Sequence, residues 1–115
     1  MILSAILLFG LATALGLSMV VLGVRYHRGS LALGLSHASV ALLALGFLFV
    51  QIFHGPIDMF NNVAALLLVL ALCGGGLLLA LREGRKPPPM LVVSIHAIMA
   101  LVGLLILVLG YLHQN

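Results

Sequence analysis

Four uninterrupted apolar stretches leave this chain little choice of fold: Ile2 to Val24, Leu31 to Phe53, Val63 to Leu81 and Met90 to Leu112. Each runs 19 to 23 residues, and a helix needs about 20 to cross the hydrocarbon core of a bilayer. The stretches are continuously apolar and do not alternate. Strands are therefore excluded, because a segment in lipid must satisfy its own backbone polar groups. Only 6% of the 115 residues are charged against 64% hydrophobic, whereas a soluble domain carries about a quarter charged residues. The expected fold is all-α: a single integral membrane domain, residues 1–115, forming a four-helix bundle.

The connections Arg25 to Ser30, His54 to Asn62 and Arg82 to Pro89 leave no room for an extramembrane domain. Gly55-Pro56 and the run Pro87-Pro88-Pro89 punctuate the second and third, since proline cannot continue a helix. The first stretch lacks a basic leading region and a small-residue cleavage site, so it reads as a helix and not as a signal peptide.

Orientation follows from the positive residues. Arg25, Arg28, Arg82, Arg85 and Lys86, all the Lys and Arg of the chain, fall in the first and third connections. Positive residues in short loops stay cytoplasmic. Loops 25–30 and 82–89 should therefore face the cytoplasm and both termini the outside, as in a bacterial inner membrane. The net charge of +3 is an anchoring stripe and not a nucleic-acid surface. Cys73, the single cysteine, cannot form an internal disulfide.

The chain also reads as a doubled hairpin. Displaced by 59 positions, His37 falls on His96 and His54 on His113, which uses four of the five histidines. Ala38-x-x-Ala41-Leu42 overlays Ala97-x-x-Ala100-Leu101, and Leu7-Leu8, Leu11-Ala12 and Gly16 overlay Leu66-Leu67, Leu70-Ala71 and Gly75. Two similar hairpins of this kind are parallel repeats about a pseudo-twofold axis along the membrane normal.

His37 and His96 each lie six residues into a span, roughly 9 Å below the same basic face at 1.5 Å per residue. An ionisable ring at that depth usually has a partner or a task. Gly16, and Gly75 within Gly74-Gly75-Gly76, lie near the same level on the preceding helices. Glycine there permits close helix packing, or leaves room for a flat macrocycle. Haem fits this combination best, with one imidazole from each of two helices as axial ligands. The other ring nitrogen would donate to a carbonyl or a hydroxyl, with Ser36, Ser39 and Ser94 near, and Arg25, Arg28, Arg82, Arg85 and Lys86 could meet the propionates. The alternative to haem is an interhelical hydrogen bond from each ring to a serine or carbonyl. No Cys-x-x-Cys-His occurs, so attachment would be non-covalent, as haem b.

With His37-Ala38 in the second span and His96-Ala97 in the fourth, the whole chain resembles the small transmembrane b-type cytochromes that hold haem between histidines of a four-helix bundle. The resemblance lies in architecture and histidine placement, not in a long motif. It implies axial ligation by His37 and His96, and electron transfer in the membrane, often with a quinone. The partners to expect are the bilayer, a quinone, and a redox partner or larger membrane complex, with a homo-oligomer as a further option.

His54 and His113 follow the first histidine of their halves by 17 residues, about 25 Å along a helix and rotated by about 100°. They read as interfacial histidines, as metal ligands of a second haem, or as part of a quinone or metal site with Gln51, Asp58 and Asn61. His27 reads as a polar loop residue. The main rival to a cytochrome is a non-catalytic accessory or assembly subunit of a membrane complex. A small multidrug exporter would need an intramembrane carboxylate, yet Asp58 and Glu83 are both in connections. A copper carrier would cluster methionines near the histidines, and Met19, Met59, Met90 and Met99 are scattered.

Overall fold

The computed structural model describes residues 1–82 and 88–114, and they form four helices: α1 Ile2–Arg25, α2 Leu31–His54, α3 Met59–Ala80 and α4 Met90–Gln114. No strand occurs among the described residues. All four helices are long and apolar enough to cross a membrane. Each packs on its chain neighbours, and α1 closes the ring on α4, so α1 lies diagonal to α3 and α2 diagonal to α4. The pairs α1–α2 and α3–α4 pack more extensively than the two seams between them. The molecule is thus two helical hairpins side by side, 46 Å long and 20 Å across.

Local signals set the helix ends. Ser30 caps α2, its hydroxyl accepting from the Leu33 amide at 3.1 Å. Helix α3 starts four residues before the expected span because the Asp58 carboxylate accepts the Phe60 amide at 2.8 Å, which draws Met59 to Asn62 into the helix. A hydropathy boundary at Val63 misses this, since Asn61 and Asn62 are polar yet helical. The α4 residue Gln114 also bonds the Asp58 carboxylate, tying the two helices together at that end. Helix α1 ends where His27 turns to φ 51°, and the Leu22 carbonyl accepts from both Tyr26 and Arg28 amides. Histidine is among the few side chains that tolerate this left-handed region.

Burial repeats at the 59-residue offset. Ala5 and Ala64, Phe9 and Leu68, Ala12 and Ala71, Ala44 and Gly103, and Leu48 and Leu107 are buried in equivalent pairs. Close approach of α3 to α4 depends on glycine, because a Cβ on Gly110 would lie 2.5 Å from Phe60 Cβ, and one on Gly103 would lie 2.9 Å from Leu68 Cγ.

The core occupies one half of the bundle only. Every buried residue lies in the first half of α1, in α3 no further along than Ala71, or in the second half of α2 or α4. This is the outer half, remote from the basic connections. From Thr13 to Arg25, Leu31 to Leu43, Leu72 to Arg82 and Met90 to Val102, the inner half buries no residue. Ala12 and Ala71 mark the level at which dense packing stops.

Candidate functional site

At that level the two histidines meet. His37 of α2 and His96 of α4 come from diagonal helices, both half-buried, with ring centroids 6.1 Å apart and planes at 76°. His37 Nδ1 lies 2.7 Å from the Ala12 carbonyl of α1, and His96 Nδ1 lies 2.7 Å from the Ala71 carbonyl of α3. A carbonyl oxygen can only accept, so both rings donate from Nδ1, and a neutral ring in that arrangement has its lone pair on Nε2. The partners are carbonyls and not the serines. Ser36 instead donates to the Ala32 carbonyl of its own helix at 2.8 Å, and Ser39 and Ser94 are exposed.

The glycines stand against the rings. A Cβ on Gly16 would be 3.2 Å from His37 Cε1, and one on Gly75 would be 3.1 Å from His96 Cε1. The space they leave is filled by the imidazoles of the same hairpins, and not by a void for a macrocycle. Gly74 adds to this on one side only, its Cβ position lying 3.4 Å from His96 Cβ. Its equivalent in the first hairpin is Leu15.

The spacing suits a shared metal. Two imidazole nitrogens bonded to one ion at about 2 Å each, with each ring centre about 1 Å further back, bring the centroids roughly 6 Å apart. A bare ion would want further protein ligands, and no group of three or more His, Cys, Asp or Glu occurs among the described residues. A metal that carries its own equatorial ligands, as in a porphyrin, needs only two. Between the hairpins, the inner half buries no side chain.

The cations rim that half. Arg25, Arg28 and Arg82 are all exposed. The Arg82 guanidinium extends from the end of α3 to the first turn of α2, where a Cβ on Gly34 would lie 3.6 Å from it and one on Gly29 would lie 3.7 Å away. Gly34 is three residues, about 4.5 Å, from the His37 level. Arg82 therefore spans the seam between hairpins just inside the basic face. Arg85 and Lys86 lie outside the described residues.

The second histidine pair is not assembled. His113 packs against Phe60 with centroids 5.7 Å apart, while His54 is exposed at the end of α2, and the two rings are not in contact. Gln51 folds onto Gly55, Asp58 caps α3, and Asn61 is buried. Two open apolar grooves do occur in the outer half. One of about 300 Å³ is lined by Phe49, Ile52 and Val69, and one of about 240 Å³ by Phe60, Val63 and Ile106; neither reaches the paired histidines.

The functional groups that sequence reading missed are the Ala12 and Ala71 carbonyls. The available signal was Ala-x-x-x-Gly, present at Ala12–Gly16 and again at Ala71–Gly75. Compared with known proteins, the chain matches no protein-family model, no curated protein and no solved structure.

Proposed function

We propose that this chain is a membrane-embedded b-type cytochrome carrying electrons on one haem held between His37 and His96. One observation supports the reading above the rest: two imidazoles from diagonal helices, each with Nδ1 engaged by a carbonyl, lie with centroids 6.1 Å apart, a separation that bis-histidine ligation also requires. When bound, haem supplies a centre that accepts and releases one electron. The protein's part is to hold both rings in one tautomer, to exclude water with the outer core, and to offer cations to the propionates. Arg82 is best placed for that last role, with Arg25 and Arg28 on the same rim. In this reading the basic connections face the cytoplasm of a bacterial inner membrane, with a quinone as the exchange partner.

The test is the reduced-minus-oxidised visible spectrum of the purified protein. A sharp low-spin α band and one iron per chain are expected. His37→Ala and His96→Ala should each abolish the band, His54→Ala and His27→Ala should leave it, and Arg82→Ala should weaken haem retention. Colourless protein from haem-replete cells would overturn the reading and favour an accessory subunit of a membrane complex.

A further inference from the structure

Each histidine bonds a carbonyl that is already engaged. Inside a helix the Ala12 oxygen accepts the amide of Gly16, and the Ala71 oxygen accepts that of Gly75, four residues on. The imidazole must therefore reach the same oxygen from the side, passing over the residue at the next turn. That residue is glycine both times. A Cβ there would stand 3.5 Å from His37 Nδ1 and 3.2 Å from its Cε1, or 3.6 Å from His96 Nδ1 and 3.1 Å from its Cε1. The approach to Cε1 is tighter than ordinary carbon contact of about 3.5–4.0 Å. The ring would have to give by a few tenths of an ångström, and a shift away from the added Cβ pulls on a hydrogen bond of 2.7 Å.

We infer that Gly16 and Gly75 are positioning residues: each opens a helix carbonyl to an incoming imidazole, so that Ala12 and Ala71 lock His37 and His96 as Nδ1–H tautomers with Nε2 presented for ligation. The tautomer lock stands on the hydrogen bonds alone, and only its use in ligation rests on the haem reading. A carbonyl-bound Nδ1–H also makes the ring a more basic ligand, which favours the oxidised metal.

The experiment is ¹⁵N-histidine NMR of the full-length chain produced without haem, in detergent at alkaline pH, where two-bond couplings separate the tautomers. Both rings should be in the Nδ1–H form. Gly16→Ala should convert His37 alone, and Gly75→Ala His96 alone, to a mixture. Gly46→Ala, whose added Cβ would have no neighbour within 4 Å, should change neither. In haem-loaded protein the two active variants should lose about 10- to 100-fold in affinity and rise in potential. Wild-type rings in the Nε2–H form, or variants that leave both rings as Nδ1–H, would overturn the inference. If a variant does not fold, the wild-type tautomers decide. If the Nδ1–H rings respond to the substitutions but the wild type from haem-replete cells is colourless, the inference is upheld and only the cytochrome reading falls.

Discussion

Leucines at equivalent positions of the two hairpins provide a quantitative check on the packing. Leu48 and Leu107 are fully buried at 0% exposure, whereas Leu7 and Leu66 are 65% and 62% exposed. Truncating a leucine to alanine removes three carbons, roughly 80 Å³, and at about 24 cal/mol per Å³ of residual cavity the loss is about 2 kcal/mol. The transfer contribution nearly vanishes in a bilayer, since lipid tails are as apolar as the side chain, so the cavity sets the magnitude. Leu48→Ala and Leu107→Ala should each cost about 2 kcal/mol in reversible unfolding from detergent or bicelles, with costs matched to within about 1 kcal/mol. Leu7→Ala and Leu66→Ala should stay within about 0.5 kcal/mol. Equal effects at all four positions would refute the assignment of inward and lipid-facing sides. A large difference between Leu48 and Leu107 would refute the equivalence of the hairpins.

Two more outcomes follow from geometry outside the histidine site. Gly110→Ala forces a Cβ to within 2.5 Å of Phe60 Cβ and should cost about 1–3 kcal/mol by thermal unfolding in detergent, while Gly10→Ala, with no neighbour within 4 Å, should be neutral or slightly stabilising. Asp58→Ala removes the α3 cap together with the bond from Gln114 and should cost about 1 kcal/mol, read as faster amide exchange at the start of α3.

The helix count and hairpin pairing were legible in the sequence because hydropathy over 20 residues is a collective signal. The start of α3 was not, because one carboxylate outweighed four residues of mixed polarity. The repeat was visible through its histidines, but the leucine identities that accompany it were a poor guide to packing. Leu7 and Leu66 match and are exposed, while the paired core positions Phe9 and Leu68, or Ala44 and Gly103, differ in residue type. Packing conserves the buried position and fills it with whatever volume the facing helix leaves. The coincident depth of His37 and His96 was readable from helical rise alone. A carbonyl partner could be expected, but not that it would be Ala12 and Ala71, because a search over side chains cannot see a main-chain oxygen exposed by a missing Cβ.

Confinement of the core to one end also shapes how the two hairpins can separate. They are joined like the jaws of a peg, clamped by Ala5, Phe9, Leu48, Leu68 and Leu107, and past Ala12 and Ala71 they meet through the half-buried His37–His96 contact and the reach of Arg82. Parting those ends uncovers no fully buried side chain, so the hairpins can splay there while the clamp stays shut.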